Sequence, residues 1–237
     1  MAVETPIVDT WLAGLLGTDP TLAGLAPCAQ IGIVATGGTF TLTFNSQTTA
    51  PIAFNAPVIG VGSVQAALEA LSTVGSKQTL VFNRKVAGWT IVFIGSLTNT
   101  ALLLSGSGVG LTGPGAALSV QPQARVWPDV APQGTPFPYI ITQNQTTLDV
   151  VATGPIRVMA NTSYLVKANI QGQYYSDAQI AMANRIDALL QATKADSVSG
   201  GGRIVSCVRQ REFRLTETTN GVQYRQLGGI YEINVQS

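Results

Sequence analysis

Apolar residues recur at helical spacing in two long stretches of the chain. Val8, Trp11, Leu12, Leu15 and Leu16 form the first stripe, the i, i+3, i+4 pattern of an amphipathic helix. Thr5-Pro6 predicts its start, with Thr5 as N-cap and Pro6 at the first helical position, where a missing N–H costs nothing. Gly17 ends it, and DPTLAGLAP adds one short turn with Asp19 placed like a cap. The second stripe is Ile180, Ala183, Ile186, Leu189 and Leu190. Ser176 and Gln179 in front of it have the spacing of a capping box.

Elsewhere the period drops to two. GGTFTLTFN sets Phe40, Leu42 and Phe44 against threonines, as a half-buried strand does. KQTLVFNRKV, GWTIVFIGSL, LLLSGSGVGLTGPG and ALSVQ read as further strands and loops, after one short helix carrying Val64, Ala67, Leu68 and Leu71. Beyond them PYIITQ and SYLVKANIQG are strands, the latter with Tyr164, Val166, Ala168 and Ile170 on one face. Gly200 to Gly202 mark a flexible turn. The remainder reads as a long hairpin turning at Asn220-Gly221, a type I′ signal. Gly228-Gly229 predicts a bulge, since apolar parity shifts across it.

Between 29 and 124 the charged residues are Glu69, Lys77, Arg84 and Lys85 alone. That texture predicts a β-rich domain with one short helix at 29–124, inserted into a discontinuous domain made of 1–28 and 125–237. The flanks supply helix, strands, helix and hairpin: an α+β fold with an antiparallel or mixed sheet and two main helices.

Composition narrows the chemistry. The 237 residues suffice for one large domain or two modest ones. Only 11% are charged, under half the usual ~25%, so the surface is covered by neutral polar residues or hidden against partners. A net charge of +1 lacks the basic footprint of a nucleic-acid binder. No apolar run reaches the ~18 residues of a membrane span, and the start shows no signal-peptide pattern. Cys28 and Cys207 read as reduced thiols, a disulfide being the alternative. The chain has no histidine, which removes Ser-His-Asp and Cys-His catalysis and the common zinc sites. Asp9, Asp177 and Asp187 fall in helices and no carboxylate pair stands out, so no catalytic, metal or cofactor-binding residue is expected, and no cofactor.

Two motifs lose to plainer readings. Gly108 to Gly113 match GxGxxG, but a dinucleotide site needs a helix to start there. Pro114-Gly115 follows instead, so a glycine-rich β-loop is expected. The sequons at Asn144 and Asn161 carry no meaning without a secretion signal.

Two other features point to interfaces. RVWPDVAPQGTPFPYIITQ carries prolines at 128, 132, 136 and 138, which exclude helix and the middle of a sheet. The segment is extended and lays down Trp127, Phe137 and Tyr139. The hairpin carries Arg203, Arg209, Arg211, Arg214 and Arg225 with no lysine. The plain reading is cross-strand ion pairs, worth little each. Arginine's planar fork also favours interfaces. Trp127, Phe137, Arg209, Arg211, Arg214 and Arg225 are therefore the candidate interface residues.

The proline segment resembles the signature of tail-terminator (tail-completion, tail-to-head joining) proteins of long-tailed bacteriophages. Trp127, Pro128, Asp129, Pro132, Gln133, Gly134, Pro138 and Tyr139 occupy its aromatic–Pro–acid–x–x–Pro–Gln–Gly…Pro-Tyr pattern. The order of strands, SDAQIAMANRIDALL helix and closing hairpin agrees with it. The insert departs from the family and is similar to small β modules of tailed-phage structural proteins. The resemblance implies a non-enzymatic virion protein of the neck, made in the host cytoplasm. It implies a homohexameric ring that caps the tail tube and faces the head-completion or connector protein. Genomic DNA meets it only as it passes through the lumen, and no membrane is involved. Two alternatives are a head-completion ring and an adhesive, glycan-binding module acting through the insert; Trp89, in a strand that reads as core, speaks against the latter.

Overall fold

The computed structural model describes residues 4–84, 87–98, 100–151, 157–172, 177–192, 196–198 and 202–236. Helix α1 (Glu4–Gly17) buries Val8, Trp11, Leu12 and Leu16, as the stripe predicts. It already includes Glu4 and Thr5, so Thr5 lies inside the helix and is not its N-cap. Helix α2 (Pro20–Leu25) is capped by Asp19, whose Oδ1 accepts from the Leu22 N–H at 3.0 Å.

Among the described residues nine strands, one α-helix and two single-turn 3-10 helices (Gly95–Leu97 and Ala101–Leu103) follow before the proline segment. They are β1 (Pro27–Val34), β2 (Gly37–Phe44), β3 (Gln47–Thr48), β4 (Ile52–Ala53), helix α3 (Val64–Glu69), β5 (Thr79–Asn83), β6 (Gly88–Phe93), β7 (Leu104–Ser107), β8 (Leu111–Thr112) and β9 (Ala117–Ala124). One sheet has the order β5-β6-β1-β9, and in a second β2 pairs with β3, β4, β7 and β8. The inward residues of both sheets and of α3 share one core. Phe40 stacks on Trp89 at 5.3 Å and Phe44 on Phe93 at 4.7 Å. The GxGxxG stretch joins β7 to β8 and turns into β9, with no helix at its end. It is the expected β-loop.

The chain then forms β10 (Val126–Pro128), β11 (Tyr139–Val151), β12 (Arg157–Gln171), helix α4 (Asp177–Gln191), β13 (Asp196–Ser197), β14 (Arg203–Thr219) and β15 (Val222–Gln236). These strands make a six-stranded sheet of order β10-β11-β12-β15-β14-β13. Its pairs are antiparallel except β10 with β11, which is parallel. Pro128 sits on that edge strand, where a missing N–H breaks no ladder. The fold is α+β with mixed sheets.

The described chain divides into two compact units. The host unit joins the segment up to Ala26 with Ala124–Gln133 and the part from Phe137 onward. The insert unit is Pro27–Gln123 together with Gly134–Pro136. The sequence boundaries of 28/29 and 124/125 lie within two residues of these junctions, but a piece of the proline segment groups with the insert. Within the insert its first and last strands, β1 and β9, are neighbours. Within the host the Arg125 N–H donates to the Ala26 carbonyl at 2.8 Å. Leaving and returning at adjacent points adds little loop-closure entropy to the host.

The host core lies between one sheet face and α1, α2 and α4. Tyr164, Val166 and Ala168 supply the middle of that face, as predicted. The stripe of α4 differs from the expected one. Gln179, Met182, Ile186 and Leu190 are buried, while Ile180 is 42% exposed. Gln179 rather than Ile180 points inward, where its Nε2 donates to the Arg225 carbonyl at 3.2 Å and so gives the buried N–H group a partner. Ser176, Gly200 and Gly201 lie outside the described residues.

The expected bulge at Gly228-Gly229 is also corrected. β15 keeps its register against β12 through both glycines. The shifts fall on the partner strand β14, between Ile204 and Ser206 and between Arg209 and Arg211. Gly228 answers a different need: a Cβ there would stand 2.0 Å from the Val166 carbonyl oxygen. Two backbones meet too closely for any side chain.

Candidate interaction surface

The bulge at Gln210 decides which way the hairpin arginines point. Before it Cys207 pairs with Ile233 and Arg209 with Tyr231. After it Arg211 pairs with Ile230, Glu212 with Gly229 and Arg214 with Leu227. Alternation then puts Arg209, Glu212 and Arg214 on the helix-bearing face, together with Arg225, which pairs with Thr216. Arg211 falls on the opposite face, in a row with Ile230 and Leu165. The candidate arginines are therefore split, three on one face and one on the other.

Three side chains converge beside α4. Arg209 reaches the Asp187 carboxylate at 3.2 Å, and the Tyr231 hydroxyl donates to the same carboxylate at 3.0 Å. Burial raises the Tyr231 hydroxyl far above its ordinary value, and the Asp187 charge adds to it. The same two causes push the Cys207 thiol up to about 12. Both groups stay protonated, and the cluster works as a clamp between helix and sheet. A groove of about 170 Å³ runs alongside, with Ile180 and Asn184 on one wall and Arg209, Glu212 and Arg214 on the other. Arg214 pairs with Glu212 two residues away on its own strand. Arg225 turns inward, its Nε donating to the Gly172 carbonyl at 3.2 Å and its Nη1 to Thr216 Oγ1 at 3.3 Å. Arg211 is exposed and has no acidic partner among the described residues.

The aromatic candidates belong to the helix-free face. Trp127 pairs in register with Ile141 on β11. Phe137 is half-buried and stacks on Tyr139 at 4.9 Å and against Tyr224 at 5.6 Å. Sequence reasoning missed Lys167 and Phe213 on this face. The Lys167 ammonium lies 5.6 Å from the Phe213 ring centre and donates to Gln226 Oε1 at 2.8 Å. Burial lowers its pKa, with Glu217 acting in the opposite sense. Only the cross-strand register reveals this pair.

Among the described residues of the host unit, much of both edges of the sheet is unpaired. β14 pairs with β13 only at Arg203 and Ile204, and among the described residues no strand covers it beyond. β11 is covered by β10 only at Ile140, Ile141 and Thr142. The two edges differ in charge. β14 carries Arg203, Arg209, Arg211 and Arg214 against Glu212 and Glu217, while 126–151 carries Asp129 and Asp149 with no basic residue.

Among the described residues no group of His, Cys, Asp or Glu could hold a metal ion, and no helix is long and apolar enough to cross a membrane. Neither a family model nor a curated protein matches this chain.

Proposed function

We propose that the chain is a structural virion protein that closes into a ring ending the tail tube of a long-tailed phage and joining it to the head-side connector. The observation that carries this reading is the pair of unlike open edges on one sheet, an arginine-rich β14 and a β10–β11 edge whose segment contains acids and no basic residue. An open edge is a template for strand pairing. Two different edges on one chain favour a heterologous, head-to-tail contact, which gives a ring when the rotation closes. The bulges and arginines of β14 discourage indiscriminate pairing and leave an acidic edge as the matching partner. The proline segment supports the same reading, since it resembles the terminator signature and forms the β10 edge. Six copies per ring, the tail-tube partner and the connector partner rest on that resemblance.

Electron cryo-microscopy of assembled particles tests it. Six copies are expected in one layer at the head-proximal end of the tail. Copies along the tube, at its distal tip or inside the head-side connector overturn the terminator reading.

A further inference from the structure

A second groove, of about 320 Å³, lies wholly within the insert. Phe54, Ala56 and Trp89 supply apolar wall, and Asn55, Asn83 and Arg84 supply the polar groups. The volume stands at the lower end of the roughly 300–1,000 Å³ typical of small-molecule sites, enough for one ring. No acid lines it among the described residues. The insert's sole carboxylate, Glu69, is engaged by Gln65 and Thr79 at 3.1 and 3.0 Å. Arg84 has no acidic partner among the described residues.

The backbone makes room for that guanidinium. Gly32 and Gly88 face each other across β1 and β6. A Cβ on Gly88 would meet the Ile31 carbonyl oxygen at 1.9 Å, and Arg84 Nη1 comes within 3.7 Å of where a Cβ on Gly32 would stand. The guanidinium thus lies beside Gly32, close to Ser119, and Arg84 also lines the partly apolar groove.

We propose that this groove binds an acidic sugar, a monosaccharide-sized ring bearing one carboxylate. The guanidinium fork matches a carboxylate in two parallel hydrogen bonds. The Asn55 and Asn83 amides each donate and accept, which suits neutral hydroxyls. Phe54 offers an apolar face to the ring. Among the described residues one cation flanked by two neutral amides lines the groove, which fits one negative charge better than a phosphate's two. The inference is independent of the ring proposed for the host unit.

Calorimetric titration of the full chain with D-glucuronate and with N-acetylneuraminate tests it, with D-glucose and the tripeptide Gly-Gly-Phe as comparison arms. At least one acidic sugar is expected to bind saturably and at least tenfold more tightly than glucose. Arg84→Gln should weaken that binding at least tenfold, and Arg84→Lys should restore only part of it. Asn55→Asp sets a like charge beside the ligand and should weaken binding comparably, which keeps the test alive if Arg84→Gln fails to fold. Overturning results are no saturable binding of either acid, equal binding of glucose, binding of the tripeptide alone, or unchanged affinity in folded Arg84→Gln.

Discussion

The two units solve the problem of a charge-poor chain in opposite ways. The insert closes on itself: two sheets and α3 bury one shared core, and its outward positions are largely uncharged, with Val34, Ile59 and Val109 exposed beside threonine, serine and glycine. The host instead gathers nearly all the charge and leaves its sheet open at both edges. Its hairpin continues past the helices, so β14 is exposed from Val208 to Glu212 and from Arg214 to Thr219. An outward face without charge cannot steer a partner, whereas an open edge with a matched sign can. The contrast agrees with the assembly role proposed for the host and with Arg84 as the group through which the insert is proposed to bind.

The largest effects should come from the two glycines that hold each unit's strands together. Gly228→Val drives a side chain into the Val166 carbonyl, and Gly88→Val does the same at Ile31, at a φ of 131° that already excludes β-branched residues. Each should cost roughly 4 kcal/mol or more, in its own unit. The cysteines report the units separately, since Cys207 is buried in the host and Cys28 in the insert. Thiol labelling should expose Cys207 alone in Gly228→Val and Cys28 alone in Gly88→Val. Exposure of both thiols in either variant would mean one cooperative core and dissolve the comparison.

A middle-sized effect is expected at Asp19, which is 5% exposed. It caps α2 and meets Arg185 at 2.6 Å, joining α2 to α4. Burial by itself raises this carboxyl, but the hydrogen bonds from Arg185 and the Leu22 N–H, with the guanidinium charge, outweigh it and hold the pKa below 3.8. Asp19→Ala should lose the cap and the ion pair, about 2 kcal/mol, whereas Asp19→Asn keeps the cap and should lose less. Urea unfolding followed at Cys207 measures both.

Because the folded pKa of Asp19 is depressed, its contribution is present above the unfolded value and fades as pH falls through the folded one. Host stability should therefore drop below about pH 4, and Asp19→Asn should flatten that drop. The insert, whose one acid is Glu69, should keep Cys28 protected across the same window. A parallel loss of Cys28 protection in the wild type and in Asp19→Asn would assign the acid sensitivity elsewhere.

Much of this was legible in the sequence, and the failures share a cause. Strand alternation around Phe40, Tyr164 and Val166 needed only local period, as did the stripe of α1 and the Asn220-Gly221 turn. The α4 stripe failed at Ile180 because a tertiary partner, the Arg225 carbonyl, made Gln179 the better inward residue. The bulge was assigned to the glycines because apolar parity along β15 alone cannot say which of two paired strands holds the extra residue. That error also hid the splitting of the arginines, since the facing of Arg211 depends on Gln210. The Lys167–Phe213 pair needed β12 and β14 placed on either side of β15, a contact no spacing encodes.

The smallest stability effects should fall on the two arginines flanking that bulge, and their inequality tests its consequence. Arg209 is bonded to Asp187 on the helix-bearing face, but its side chain is 41% exposed, so solvent screens the pair. Arg209→Ala should cost at most about 1 kcal/mol. Arg211 points to the other face and meets no acid among the described residues, so Arg211→Ala should leave urea unfolding unchanged within error. At 1 M salt, where the Debye length is about 3 Å, the two variants should become indistinguishable in stability. Assembly should reverse the ranking. Asp187 already occupies Arg209, while Arg211 is free to meet an acid on a neighbouring copy's β10–β11 edge. Joining of tails to heads should therefore fall at least as far in Arg211→Ala as in Arg209→Ala. If Arg211→Ala is instead the less stable of the two, the facing derived from the Gln210 bulge is wrong. If neither change affects joining, the arginines serve the host fold alone, and the charge-matched edge contact loses its support.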